Sequence, residues 1–583
     1  MYKPPIALIT AVVGWCALAF LPATAYASDP NIVPEAASGT TDIKHAIGVK
    51  HMAVTANPYA TDAAQKILDW GGSAVDAAIT AQLVLGLVEP QSSGIGGGAF
   101  ILHWDADNKK LTSWDGRETA PSALKPQHFL QDGKAMGFFD AVIGGHSVGT
   151  PGVIAVLESL HKRHGKLPWV TLFKPAIGLA NEGFLISPRL YTLLEKMPKV
   201  AVNPDITEYF FQNDGKTPKP VGTLLKNPAY AKTLERIARK GSEGFYRGPV
   251  ADAIEDAVQN DPNRPGLLSE EDLKNYRAKE RDPVCGNFRQ YRICGMGPPS
   301  SGGTTVAAIL GTLQHVASYK DSRADQAHRF AEASRLAFAD RNHYIGDPDF
   351  VAVPTAGLID DDYLKRRSRL IKTQQRMARV SHGVPPGSGT ISFVTSSSPE
   401  LPSTTHVSIV DDYGNIVSMT SSIETAFGSR IMAGGFLLNN QLTDFSFVPS
   451  DASGPVANAP AGGKRPRSSM APTIVFDGDK PRLVIGSPGG SRIIDYVARS
   501  IWDVLENSEP VAKAIAAPHV VAMGDDLELE AGHATPALIK QLEALGHPVK
   551  VRDQTSGLHA IWIDDRFIEG GADPRREGSI KGM

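Results

Sequence analysis

From Ala60 to Pro90 apolar and polar positions alternate at helical spacing, with a break at Gly71-Gly72. The second half, Ala74 to Val88, is so strongly apolar that it predicts a buried helix. Gly94 to Gly98 predicts a glycine turn and Ala99 to Trp104 a strand. Helical spacing returns between Gly152 and Gly183, where Leu157, Leu160 and His161 share a face. Further helices are predicted at Tyr230 to Lys240, Ser269 to Tyr276 and Ala324 to Asp340. Near residue 370 the character changes. Residues 369–403 are rich in Ser, Pro, Gly and Thr with weak periodicity, which predicts a long exposed loop. Loops of that length inside compact domains are usually functional or disordered. Thr404-Thr405-His406-Val407-Ser408-Ile409-Val410 follows with the alternation of a strand, then a turn at Asp411 to Asn415 and a second strand at Ile416 to Thr420. Another hairpin is predicted at Thr473 to Gly486. Ser487-Pro488-Gly489-Gly490-Ser491 then opens a helix with Ile493, Ile494, Val497, Ile501 and Leu505 on one face. No repeat of solenoid length is visible. Blocks of helices and strands in this order predict a layered α/β protein with antiparallel sheets.

Composition adds little to that picture but excludes some partners. With 583 residues, 42% of them apolar, the chain can bury a large core without metal or disulfide staples. The 62 acids and 59 bases nearly cancel, giving a net charge of −3, so nucleic acid is not an expected partner. The N-terminus reads differently from the rest. Lys3, an apolar run from Ile6 to Leu21, and Ala25-Tyr26-Ala27 before Ser28 have the layout of a secretory signal peptide over 1–27, cut after Ala27. The run is short for a membrane span and is broken by Gly14 and Pro22. The mature chain is therefore expected in the periplasm or secreted, with no membrane span. Of the two cysteines left after export, Cys285 and Cys294, each would face the other if a hairpin turned at Arg289-Gln290. That geometry suits a disulfide in an oxidising compartment; the alternative is two buried thiols.

Three glycine-containing stretches resemble known motifs. Gly94-Ile95-Gly96-Gly97-Gly98-Ala99 has loose dinucleotide-binding spacing, but a helix precedes it and a strand follows, the reverse of the required order. Gly297 to Thr304 has P-loop spacing with Gly303 where the phosphate-binding lysine belongs. Gly145-His146-Ser147-Val148-Gly149 is a literal G-x-S-x-G, the elbow of a serine nucleophile, though Ala141 to Gly144 before it makes a poor strand and a tight turn is the plainer account. Ser147 stays as the alternative nucleophile. No HExxH occurs, and His161 and His164 flank Lys162-Arg163 on a polar helix face, so no metal is expected.

Thr404 offers different chemistry. A threonine hydroxyl is a weak nucleophile unless a base stands beside it. A cut between Ser403 and Thr404 would create that base, because a free α-amine titrates at ~7.7–8.0, close to working pH. A flexible loop running into a strand-initial threonine is the layout such a cut requires.

At these positions the chain resembles the γ-glutamyltranspeptidases. The resemblance rests on Thr404-Thr405-His406 through Asp444-Phe445-Ser446, on Leu437-Leu438-Asn439-Asn440-Gln441, on Lys464-Arg465-Pro466-Arg467-Ser468-Ser469-Met470 and on Gly486-Ser487-Pro488-Gly489-Gly490-Ser491-Arg492. It extends to Asp115-Gly116-Arg117-Glu118-Thr119-Ala120-Pro121, Pro298-Pro299-Ser300-Ser301-Gly302-Gly303, Ala339-Asp340-Arg341, Gly346-Asp347-Pro348 and Ala572-Asp573-Pro574-Arg575-Arg576, and so covers nearly the whole mature chain. It implies an N-terminal nucleophile hydrolase, an αββα sandwich with two mainly antiparallel sheets between helical layers. It implies self-cleavage into a large piece, 28–403, and a small piece, 404–583, that remain together as a heterodimer. Thr404 would be the nucleophile, Ser422 its hydroxyl partner where the family usually has Thr, and Gly489 and Gly490 the oxyanion hole. Arg117, Ser468 and Ser469 would grip the α-carboxylate of a γ-glutamyl group, and Gln441 and Asp444 its α-ammonium. Donors would be glutathione and other γ-glutamyl compounds, acceptors water, amino acids or dipeptides, with no cofactor. Two departures stand out. Glu424 occupies a position that is often Asn, which suits an ammonium and disfavours a glutaryl group lacking one. The stretch from Asp444 to Ser468 is short and has no Tyr to latch a lid, which predicts an open cleft. A cephalosporin or glutaryl acylase on the same scaffold is the nearest rival activity.

Overall fold

Alternation around Thr404 produces the strand it predicts. In the computed structural model, which describes Met1 and residues 37–197, 199–318, 322–389, 393–396 and 403–583, Thr405–Val410 pairs antiparallel with Ile416–Ser422. Asp411 makes the intervening turn by accepting hydrogen bonds from the backbone N–H groups of Tyr413 and Asn415, both 2.9 Å. Its other oxygen accepts from Ala74 N–H at 2.8 Å, which ties the turn to the start of the helix Ala74–Val88. The segment 1–27 assigned to a signal peptide lies outside the described residues, apart from Met1.

Two seven-stranded sheets hold the architecture, and every pairing within them is antiparallel. One runs in the order Ser579–Gly582, Met52–Thr55, Thr405–Val410, Ile416–Ser422, Gly98–Asp105, Lys110–Gly116, Lys279–Arg281. The other runs Lys44–Gly48, Ile568–Ala572, His559–Ile563, Lys480–Gly486, Thr473–Asp477, Tyr291–Gly295, Val284–Phe288. Because side chains alternate along a strand, each sheet has two faces to bury. Val407, Ile409, Val417 and Met419 of the first sheet pack with the helices Pro58–Asp69, Ala74–Val88 and Trp169–Glu182. Ile293, Val475, Leu483 and Ile485 of the second pack with Gly302–Leu313, Arg323–Tyr344 and Ile493–Leu505. Met52, Val54, Val410 and Ile416 meet Ile474, Val484 and Ile561 between the sheets. The result is the αββα sandwich.

Local chemistry explains most element boundaries. Ala74–Val88 is buried along its whole length, and Ser73 with Asp76 forms a capping box at its start. The helical spacing from Gly152 to Gly183 divides into Val153–His164 and Trp169–Glu182, because Gly165 ends the first helix and Pro168 precedes the second. The glycine turn before Gly98 is required by packing. A Cβ on Gly97 would stand 2.1 Å from Ser422 O, so the turn lies flat against the end of the central hairpin. The described part of 369–389 forms no helix or strand, as expected, yet it is tied down: Gly383 N–H donates to Asp340 at 2.7 Å and Arg376 N–H to Leu545 O at 2.8 Å. In the hairpin turned by Arg289-Gln290, Cys285 pairs in register with Cys294, their Cα atoms are 4.1 Å apart, and a disulfide joins them. No helix among the described residues is long and apolar enough to cross a membrane.

Candidate active site

Strand register brings the first two candidate residues together. Thr405 pairs with Ser421 and His406 with Thr420, so the next pair outward is Thr404 with Ser422. Both side chains fall on the face turned toward the second sheet, and their hydroxyl oxygens are 3.2 Å apart. Thr404 Oγ1 also lies 2.6 Å from the carbonyl oxygen of Ser403, to which Ser422 Oγ donates at 2.9 Å. Ser422 in turn accepts from Glu424 N–H at 2.8 Å, and Ser403 Oγ donates to Gln91 O at 2.6 Å. The Ser403 carbonyl is thus held from both sides in the intact chain. Arg576 Nη1 donates to Thr404 O at 3.1 Å from the C-terminal region.

Below this pair the space between the sheets is polar. Ser408 spends its one proton on His559 O at 3.0 Å, so His406 Nε2, 3.0 Å from Ser408 Oγ, carries the proton of that contact. His406 Nδ1 then accepts from Thr420 Oγ1 at 2.8 Å. Burial, helped by the neighbouring His559, pushes His406 far below its ordinary pKa, and the ring is neutral. It is a fixed strut under the Thr404 strand, not a general base.

A small cavity opens at Thr404 and Ser422 and takes in Glu424, Gln441, Asp444, Ser468, Ser469 and Gly490, with Met470 and Ile493 as its apolar wall. The residues come from five separate stretches of chain. Gln441–Asp444 is a short 3-10 turn that carries both polar groups to one side. Glu424 sits at φ +79°, a conformation that costs a side-chain-bearing residue about 1–3 kcal/mol, and Asn440 Nδ2 holds its carboxylate at 2.5 Å. Gly489 and Gly490 have φ of +141° and +58° and lead into the helix Ile493–Leu505, whose positive end faces the cavity. A Cβ on Gly489 would stand 2.7 Å from the Tyr496 ring, so only glycine fits there.

Arg117 departs from its expected place. It lies behind the cavity wall, fully buried, with Nε donating to Pro466 O at 3.1 Å and Nη2 to Arg467 O at 2.9 Å and to the Asp444 carboxylate. Arg117 does not itself line the cavity, whereas Asp444, to which it is bonded, does. The expected open cleft is likewise absent. Thr404, Ser422, Glu424 and Asp444 are each only 3% exposed. Asn458 also binds the short 445–467 stretch down, donating to Asp444 O at 2.7 Å and accepting from Arg467 N–H at 2.9 Å.

Ser147 lacks the setting of a nucleophile. A helix, Phe138–Val142, precedes it where an elbow needs a strand. Its buried hydroxyl donates to Val142 O at 2.6 Å and lies 3.0 Å from Gly144 O, and among the described residues no imidazole hydrogen-bonds to it. Among the described residues no group of three His, Cys, Asp or Glu side chains could hold a metal ion.

Glu118 is a titratable neighbour that spacing could not reveal. Complete burial lifts its carboxyl from 4.5 to about 8, against the opposing pull of Arg117, whose Nη1 is 3.6 Å away. A carboxyl with a raised folded-state pKa contributes stability that is fully present below its unfolded value and is lost as pH rises through about 8. Glu118→Gln, neutral and of the same shape, is expected to flatten the fall in melting temperature between about pH 4.5 and pH 8. Melts of both proteins across that range check this, and equal slopes would refute it.

Comparison with known proteins places these features among relatives. A family model described as gamma-glutamyltranspeptidase matches residues 60–583. The chain is 35% identical over 554 residues to a glutathione hydrolase proenzyme of Bacillus subtilis, with 92% of each chain covered. It is 35% identical over 563 residues to a glutathione hydrolase proenzyme of Escherichia coli, with 94% of each covered. Among solved structures it is similar to a cephalosporin acylase from Bacillus halodurans, with a TM-score of 0.81 and 26% identity, over 95% of this chain and 99% of that one.

Proposed function

Since the chain belongs to the γ-glutamyltranspeptidase family, we propose that it is an exported, self-cleaving hydrolase and transferase of γ-glutamyl compounds, glutathione among them, with Thr404 as nucleophile. The observation that carries this reading is the Thr404 hydroxyl held 2.6 Å from the Ser403 carbonyl oxygen, opposite Ser422 and on the wall of a cavity lined by Glu424, Asp444, Ser468 and Ser469.

Self-cleavage starts when Thr404 Oγ1 attacks the Ser403 carbonyl carbon. The hydroxyl proton leaves with the attack, the C–N bond breaks, and the Thr404 nitrogen takes up a proton as the free amine. Ser422 Oγ stabilises the charge that builds on the Ser403 oxygen. Water then hydrolyses the Ser403–Thr404 ester, leaving a carboxylate on 403 and a free amine on 404. Arg576 keeps the new terminus in place through Thr404 O. In turnover the free amine takes the Thr404 hydroxyl proton as Oγ1 attacks the γ-carbonyl of the donor. The amides of Gly489 and Gly490 face the developing oxyanion, and the amine returns the proton to the leaving amide nitrogen. Water or an amino acid then resolves the γ-glutamyl ester.

The cavity wall fits a zwitterion. Ser468 and Ser469 offer hydroxyls to the α-carboxylate, with the Arg117 charge behind Asp444, while Glu424, Gln441 and Asp444 face the α-ammonium. A glutaryl group lacks the α-ammonium that Glu424, Gln441 and Asp444 suit, which favours a γ-glutamyl donor over the substrate of a cephalosporin or glutaryl acylase despite the fold likeness.

Denaturing electrophoresis of the exported protein tests the cleavage. Two bands are expected, the smaller beginning Thr404-Thr405-His406. An intact chain that still turns over substrate would overturn the Thr404 mechanism. Matched γ-glutamyl and glutaryl anilides test the substrate, and faster glutaryl turnover would overturn that part alone.

A further inference from the structure

The helix Arg323–Tyr344 delivers Arg341, 3% exposed, to the back of the cavity wall. Its guanidinium donates from Nε to Ser301 Oγ at 2.8 Å, from Nη2 to Ser469 Oγ at 2.6 Å and from Nη1 to Asn342 Oδ1 at 2.8 Å. Ser301 in turn donates both its N–H and its hydroxyl to Ser468 O, each at 2.7 Å. One planar fork therefore holds the Ser469 hydroxyl directly and the Ser468 main chain through Ser301.

A guanidinium can only donate. The Ser469 oxygen is consequently an acceptor toward Arg341, its one proton points elsewhere, and among the described residues that hydroxyl donates to no protein acceptor. Ser468 is in the same state, its oxygen accepting from Met470 N–H at 3.2 Å. Both residues line the cavity with Thr404.

We infer that Arg341 is a positioning residue that sets Ser468 and Ser469 as paired hydroxyl donors toward the cavity, and thereby confers preference for substrates with an α-carboxylate. The inference rests on the γ-glutamyl reading above. A hydroxyl that accepts from a cation is polarised into a better donor, and the cation itself attracts the carboxylate. Lysine would keep the charge but lacks the fork that spans Ser301 and Ser469.

The test uses the processed enzyme and two anilides differing only in the α-carboxylate, γ-glutamyl and 4-aminobutyryl. Arg341→Gln is expected to raise KM for the γ-glutamyl anilide about tenfold, with kcat changed by less than about twofold. Its kcat/KM for the 4-aminobutyryl anilide should stay within about twofold, and Arg341→Lys should show the same split to a smaller degree. In a Ser469→Ala background, Arg341→Gln should add less than about twofold. Equal losses on both anilides, additive effects in that background, or failure of both Arg341 variants to fold and cleave would each overturn the inference. A wild-type enzyme without preference for the γ-glutamyl anilide would overturn the substrate reading and the inference with it.

Discussion

Thr404→Ala is expected to leave a single intact chain whose γ-glutamyl turnover falls by roughly ten-thousandfold or more, the scale seen when a covalent nucleophile is removed. One substitution acts twice here. It deletes the hydroxyl that attacks the Ser403 carbonyl, so the amine that would serve as base is never released. It also deletes the nucleophile for the donor. Thr404→Ser separates the two losses, because it keeps the hydroxyl beside the Ser403 carbonyl and should still cleave. Electrophoresis and single-turnover rates on the three proteins check this. Cleavage in Thr404→Ala would move the attacking group elsewhere, with Ser422, 3.2 Å away, the nearest hydroxyl.

Arg117→Ala should be the most damaging substitution for stability. Removing a buried cation from its partner typically costs about 3–5 kcal/mol, because the remaining charge is stranded. Asp444 is exposed to that cost because it loses the guanidinium, whereas Glu118, lifted to about 8 by burial, is protonated at neutral pH and has no charge to strand. Two main-chain carbonyls, Pro466 O and Arg467 O, also lose their donors next to Ser468. The same change should raise KM for γ-glutamyl donors. Urea unfolding of Arg117→Ala, and of Arg117→Ala combined with Asp444→Ala, distinguishes the causes. Part of the stability should return in the double variant. An Arg117→Ala protein as stable as the wild type would show that the ion pair carries no structural weight.

Much of this site was legible because it depends on local pattern. Strand alternation from Thr404 to Thr420 is strong enough to predict a hairpin, and once the turn at Asp411 to Asn415 is in place the register brings Ser422 opposite Thr404. Gly489 and Gly490 could be read as a helix start for the same reason. The features that were missed depend on long-range packing. Arg341 and Arg576 lie 63 residues before and 172 residues after Thr404, and only the fold brings their guanidinium groups to Ser469 and to Thr404 O. Arg117 was expected to grip a carboxylate because arginine suits one, and spacing could not show that its Nη2 also bonds the Asp444 carboxylate, 327 residues away. The closed cavity could not be inferred from the length of the 445–467 stretch, since Asn458 determines where that stretch lies. The break at Gly165 was visible in the sequence as a glycine three residues before a proline, and the helical periodicity on either side concealed it.

The strand order has a further consequence for a chain cut after Ser403. Strands from either side of the cut alternate in both sheets. Ser579–Gly582 and Thr405–Val410 flank Met52–Thr55, Ile416–Ser422 borders Gly98–Asp105, and the other sheet sets Lys44–Gly48 and Tyr291–Gly295 at the two edges of a four-strand block from the C-terminal piece. Five hydrogen-bonded ladders would therefore join the two polypeptides. Neither could leave without opening both sheets and exposing all three cores. Separation of the pieces and loss of the fold would be one event, so the melting temperature of the cut protein would rise with protein concentration, whereas that of the uncut chain would not.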